Sequence, residues 1–181
     1  GARAGISAAL HDLVGKRLGV PVWRLLGLSA RAPVSSFTLG IDSPEEMRRK
    51  IREASAYPIL KLKVGSDRDG EVLALLRQEA PDKRVRVDAN TAWTLKEAMA
   101  ALPMLQEHGV ELIEQPLAPS DLEGLRLLRS HSPIPIIADE SCVSLADIPR
   151  LAGVVDGVNL KLSKCGGIRE ALRMIHCARA H

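Results

Sequence analysis

Ile59-Leu60-Lys61-Leu62-Lys63-Val64-Gly65 is the stretch on which the reading of this chain turns. A strand alternates its side chains, so Lys61 and Lys63 point to one face while Leu60, Leu62 and Val64 point to the other. Two ammonium groups side by side on an otherwise apolar strand repel each other and resist desolvation. Both effects predict a lysine pKa lowered toward the range where the free amine can act as a base. The alternative is an edge strand that carries lysine as protection against aggregation.

Upstream, Ile6, Ala9, Leu10 and Leu13 recur at helical spacing, and Gly15 with Gly19-Val20-Pro21 is expected to break that helix. Residues 34–39 read as a short strand. Ser43-Pro44-Glu45-Glu46 then opens a helix, with Ser43 as N-cap, proline in the first turn and Glu46 closing a capping box. Downstream, a helix is expected over 69–79 and a strand over 85–88. Thr94 with Glu97 starts a helix carrying Leu95, Ala98, Met99, Leu102 and Leu105. Residues 110–114 read as a strand, Ser120 with Glu123 caps another helix, and 134–138 is a strand again. A short helix over 145–151 leads to a strand at 158–161, and Gly166-Gly167 admits a last helix from about Ile168. Six strands alternating with helices is the pattern of parallel βαβ units. A doubly wound sheet remains an alternative, although its glycine-rich phosphate fingerprint is missing after the first strand.

The totals narrow the function. The chain has 181 residues, 46% hydrophobic and 26% charged, which fits one soluble globular unit with a sizeable core. A net charge of +3, evenly spread, implies neither a nucleic-acid nor a membrane partner. Aromatic residues at 2% nearly exclude stacking platforms for bases or sugars. No run is long or apolar enough for a transmembrane helix, and no signal peptide opens the chain. Cys142, Cys165 and Cys177 lack the paired spacing of a zinc site, so reduced thiols and a cytoplasmic location are expected. The chain starts and stops inside helix-like patterns, and it is expected to be a piece of a longer protein.

Chemistry gathers at the strand ends. The second strand delivers Lys63, the third Asp88, the fourth Glu114, the fifth Asp139 and the sixth Lys161, each 22 to 26 residues after the last. That interval is about one βα unit, so the groups fall on one rim, where a β/α barrel builds its active site. Three carboxylates converging there repel one another unless a cation sits between them, and an all-oxygen set selects a hard divalent ion, Mg²⁺ first. Each residue has a plainer reading. Asp88 can cap the turn before Asn90, Glu114 can be a loop carboxylate, Asp139 and Glu140 a solvated acidic pair, and Lys161 and Lys164 surface lysines. Five such groups at five successive strand ends favour a site.

Leu60-Lys61-Leu62-Lys63, Val87-Asp88-Ala89-Asn90, Ile113-Glu114-Gln115-Pro116, Ala138-Asp139-Glu140-Ser141 and Asn159-Leu160-Lys161 together resemble the enolase superfamily. The resemblance is to its muconate-lactonizing branch, which carries a lysine on each side of the site. Gly15-Lys16, Pro21 and Leu25-Leu26-Gly27 resemble the family's passage into the barrel. The resemblance implies a parallel β/α (TIM-type) barrel. Residues 1–31 would be a helical lead-in and 32–181 a partial catalytic barrel, with six of about eight βα units present and the capping domain absent. It further implies Mg²⁺, with Mn²⁺ as a substitute, on Asp88, Glu114 and Asp139, and Lys63 and Lys161 as the acid/base pair. Lys61 would lie near the substrate carboxylate and tune Lys63, with Asn90 and Glu140 in support. Ser36-Phe37-Thr38-Leu39-Gly40-Ile41-Asp42-Ser43-Pro44-Glu45 resembles dipeptide epimerases, which places Thr38 beside the substrate.

The expected activity is an isomerase reaction on a small carboxylate, a dipeptide of the L-Ala-D/L-Glu kind, in a protein that could be a homo-oligomer. One lysine removes the proton next to the carboxylate and the other returns one to the opposite face, with the cation and lysine charge stabilising the enediolate. Cycloisomerisation or β-elimination from the same intermediate is the second enzyme reading, as in muconate lactonization or o-succinylbenzoate synthesis, with an N-succinylamino acid racemase of the same branch beside it. A truncated, catalytically inert barrel fragment is the rival from another class. A phosphate-binding barrel using Gly166-Gly167 ranks last, because it gives the three carboxylates no role.

Overall fold

A computed structural model describes residues 1–181. Six parallel strands form one sheet in the order β1 (Ser36–Leu39), β2 (Ile59–Lys63), β3 (Arg84–Asp88), β4 (Val110–Glu114), β5 (Ile136–Ala138) and β6 (Gly157–Val158). Each strand pairs with the next in sequence, as successive βα units require. The chain resolves into two compact units, and the sheet lies wholly in the one made of Val34–Ser141 and Gly153–Val158.

Helices α3 (Pro44–Glu53), α4 (Asp69–Glu79), α5 (Leu95–Glu107) and α6 (Leu122–His131) connect these strands. Their apolar stripes form the core with Ile59, Leu60, Leu62, Val85, Val87, Ile113 and Ile136, and the helices contribute Met47, Leu73, Leu76, Leu105, Leu125 and Leu128, all fully buried or nearly so. Ser43 caps α3 by accepting from Glu46 N–H, and Thr94 with Glu97 makes the full capping box of α5. Each such cap contributes about 1 kcal/mol. The third expected cap is corrected. Asp121, not Ser120, caps α6, its carboxylate accepting from Gly124 N–H at 2.8 Å. A Cβ at Gly124 would lie 2.3 Å from Asp121 Oδ2, so glycine three residues on lets the carboxylate in.

At the opposite rim Arg77, from the last turn of α4, donates to the backbone carbonyls of Lys83 (2.6 Å), His108 (2.7 Å), Gly109 (3.1 Å) and Pro81 (3.3 Å). It ties the turns before β3 and β4 together through their backbone carbonyls.

The other unit comprises Gly1–Pro33, Cys142–Ala152 and Asn159–His181. It holds α1 (Ala2–Leu18), α2 (Val22–Leu25), α7 (Asp147–Leu151), α8 (Leu162–Cys165) and α9 (Ile168–Ala180). Gly15 does not end α1 as expected. The helix runs on to Gly19, whose φ of 66° makes a left-handed cap, and Val20 N–H returns to Gly15 O at 2.9 Å. A Cβ at Gly15 would sit 2.8 Å from Val20 O, so Gly15 serves close approach rather than helix breaking. Ile6, Leu10 and Leu13 of α1 are at least half exposed. The strand expected over 158–161 shortens to Gly157–Val158, because the Lys161 carbonyl already accepts the first helical bonds of α8, from Lys164 and Cys165. No helix of the chain is long and apolar enough to cross a membrane.

Candidate active site

Strand register assembles the site. Lys63 of β2 stands opposite Asp88 of β3, Asp88 opposite Glu114 of β4, and Glu114 opposite Ile137 of β5. Paired residues of parallel strands project to the same face, and Asp139 follows Ile137 by two positions, so Lys61, Lys63, Asp88, Glu114 and Asp139 all project to one side. A bulge makes this possible. Between Val85↔Val110 and Val87↔Ile113 the fourth strand carries one extra residue. Continued without it, the first register would set Ile113 against Asp88 and turn Glu114 to the other face.

The carboxylates are deeply buried: Asp88 is 1% exposed, Glu114 6% and Asp139 0%. Lys61 Nζ lies 2.8 Å from both Asp88 Oδ2 and Glu114 Oε2, and Lys63 Nζ lies 2.7 Å from Asp88 Oδ2. This corrects the expected pKa of Lys61. Burial does pull its ammonium down, but the Asp88 and Glu114 carboxylates outweigh burial and hold it above the usual lysine value. Asp88 goes the other way. Burial pushes it up, and the hydrogen bonds from Lys61 and Lys63 overcome that and hold it below the usual aspartate value.

Lys63 also donates to Asn90 Oδ1, Asn90 Nδ2 donates to Glu140 Oε1 at 3.0 Å, and Asn90 N–H donates to Asp88 Oδ1 at 3.0 Å. Thr38 of β1 pairs in register with Lys61 and is exposed on that face. Lys161 and its neighbours belong to the other compact unit, where Lys161 is exposed at the start of α8.

Gln115 is the residue that the strand-end pattern did not single out. It is fully buried, in left-handed backbone at φ 37°. Its Oε1 accepts from Asp139 N–H (2.8 Å) and Ser141 N–H (3.0 Å), and its Nε2 donates to Leu117 O (2.9 Å) and Ser141 Oγ (2.8 Å). The three bonds to Asp139 and Ser141 lock the turn after β4 onto the turn after β5, and with it the backbone of Asp139. Gly65, at φ 119°, brings the turns after β2 and β3 together, since a Cβ there would meet Ala92 Cβ at 2.4 Å.

No set of three His, Cys, Asp or Glu side chains is arranged to hold a metal ion in this structure. The Lys61 ammonium stands between Asp88 and Glu114 instead. The donor chemistry nevertheless suits a hard divalent cation. Asp88, Glu114 and Asp139 offer only carboxylate oxygens and bring three negative charges against two from Lys61 and Lys63. The five side chains thus carry a net charge of about −1 when ionised, opposite in sign to that of a divalent ion.

Residues 44–181 match the family model described as enolase C-terminal domain-like, and residues 1–27 match the mandelate racemase/muconate lactonizing enzyme N-terminal domain. The chain is 42% identical over 184 residues to an L-Ala-D/L-Glu epimerase of Bacteroides thetaiotaomicron, covering 99% of this chain and 47% of that protein. Its fold is similar to the dipeptide epimerase of Enterococcus faecalis V583 complexed with Mg and L-Leu-L-Tyr (TM-score 0.92, 38% identity, 99% of this chain and 52% of that one). It is also similar to a muconate cycloisomerase of Pseudomonas fluorescens (TM-score 0.90, 36% identity, 99% and 52%). The chain spans about half the length of the relatives it matches.

Proposed function

Because the chain belongs to the enolase C-terminal domain-like family, we propose that the full-length protein is a dipeptide epimerase, inverting the carbon next to the C-terminal carboxylate. The observation that carries the proposal is the row Lys63–Asp88–Glu114, a lysine in register with buried carboxylates on one face. Likeness to an epimerase solved with Mg and a dipeptide supports it.

In this reading Asp88, Glu114 and Asp139 would hold Mg²⁺, which when bound would offset the negative charge that builds on the substrate carboxylate. Lys63, as the neutral amine, takes the α-proton on one face. Lys161, as the ammonium that follows β6, delivers a proton to the opposite face. One C–H bond breaks and one forms, and the two lysines end with exchanged protonation states, so each must re-equilibrate with solvent before the next turnover. Lys61 keeps its positive charge beside Asp88 and Glu114 and lowers the energy of the anionic intermediate. Thr38, level with Lys61 on β1, lines the substrate's side.

A dipeptide panel in D₂O tests the assignment. L-Ala-L-Glu and hydrophobic dipeptides are expected to lose their α-hydrogen signal by proton NMR in the presence of the full-length protein and Mg²⁺. The second reading, a cycloisomerase, rests on the likeness to muconate cycloisomerase. Turnover of cis,cis-muconate with inert dipeptides would transfer the assignment to it, and exchange confined to N-succinylamino acids would transfer it to a racemase of that kind.

A further inference from the structure

We infer that Asn90 and Glu140 are positioning residues that aim the proton-carrying position of Lys63. The inference rests on Lys63 being one of the two proton carriers proposed above.

A lysine ammonium is tetrahedral: beyond Cε it has three positions, all donors when charged, one of them the lone pair when neutral. Two of the three are taken. Asp88 Oδ2 accepts from Lys63 Nζ at 2.7 Å, and Asn90 Oδ1 accepts a second N–H. Fixing two positions fixes the third, so proton transfer has one direction left. A flexible four-carbon side chain becomes a directed base.

Aiming requires the Asn90 amide to present its oxygen to Lys63, and Glu140 enforces that. Asn90 Nδ2 donates to Glu140 Oε1 at 3.0 Å. Turned over, the amide would set its NH₂ against an ammonium and its carbonyl against a carboxylate, losing both bonds. The Asn90 backbone is held independently. It sits at φ 43°, a left-handed conformation that asparagine tolerates, and its N–H donates to Asp88 Oδ1 at 3.0 Å. Glu140 Oε2 is buried with no partner, an unfavourable arrangement for a carboxylate kept only for general packing.

A positioning role is one-sided, and a structural role is not. Exchange on the isomer that Lys63 deprotonates needs the aim. Exchange on the other isomer, removed and returned by the opposing lysine, does not. The experiment follows α-hydrogen exchange of L-Ala-L-Glu and L-Ala-D-Glu in D₂O with full-length wild type, Lys63→Ala and Glu140→Gln at saturating Mg²⁺. Lys63→Ala identifies the isomer served by Lys63. Glu140→Gln, which frees the amide to turn because a glutamine can donate as well as accept, is expected to slow that isomer about tenfold and to leave the other within about twofold. Asn90→Ser is expected to give the same one-sided loss and stands in if Glu140→Gln does not fold. With Lys63→Ala one-sided, equal slowing of both isomers by Glu140→Gln, or slowing of neither, overturns the inference alone. Lys63→Ala that is not one-sided overturns the two-lysine reading itself, and the inference with it.

Discussion

Lys63→Ala in the full-length protein is expected to abolish epimerisation while leaving α-hydrogen exchange on one stereoisomer only. Removing a positioned general base costs about 10²–10⁴-fold. Inversion requires both faces, so epimerisation falls by that factor in either direction. Exchange on the isomer served by Lys161 survives, because its base, the carboxylates and Lys61 are all intact. Lys161→Ala is expected to be the mirror image, with exchange surviving on the other isomer. Lys61→Ala differs in kind. Lys61 sits 2.8 Å from both Asp88 and Glu114, so its loss leaves two buried carboxylates facing each other and weakens both directions. Proton NMR of both isomers with each variant reads all three. If Lys63→Ala and Lys161→Ala lose exchange on the same isomer, the two lysines do not work opposite faces.

Asp88→Asn is expected to have the next largest effect, on stability and metal affinity together. Asp88 is 1% exposed and receives both lysines, and removing one partner of a buried charged set costs about 3 kcal/mol. That loss is read as a lower urea midpoint at pH 7. The pH dependence follows from the sign of the shift. Asp88 is held below its ordinary value in the folded protein, so its contribution is present above the unfolded value of about 3.9 and fades as pH falls through the lower, folded value. The difference between wild type and Asp88→Asn should therefore narrow below about pH 4. Mg²⁺ affinity by calorimetry should fall by more than the 10–100-fold typical of outer-shell changes. Asp88→Asn with unchanged stability and unchanged Mg²⁺ binding would remove Asp88 from the centre of the site.

Much of this was legible from periodicity. The alternation in Leu60-Lys61-Leu62-Lys63 and the capping residues Ser43 and Thr94 each depend on neighbours within four positions, and they placed the second strand and two helices where the structure has them. What failed to show depends on partners further away. The direction of the Lys61 shift is not legible in the sequence, because the repulsion of Lys63 is visible within one strand, whereas the stronger attraction of Asp88 and Glu114 comes from the next two strands. The extra residue in β4 that turns Glu114 to the Lys63 face leaves no mark in the run Val-Glu-Leu-Ile-Glu. Gln115 carries no sequence signal of its role, because three of its four bonds reach Asp139 and Ser141, beyond the next strand. The cap of α6 is the local exception: Asp121 takes the place of Ser120 because the glycine at 124 leaves room for its carboxylate.

The most direct test of the central claim, proton removal on one face and delivery on the other, is where deuterium resides in the first product formed. Protio L-Ala-L-Glu, or whichever panel dipeptide turns over fastest, is incubated with the full-length protein and Mg²⁺ in D₂O. The reaction is stopped at low conversion, and the two epimers are separated and analysed by mass and proton NMR. Two opposed lysines predict deuterium at the α-carbon of essentially every epimerised molecule, since the delivering lysine carries solvent deuterons. An epimerised product that retains its original α-protium would contradict the account.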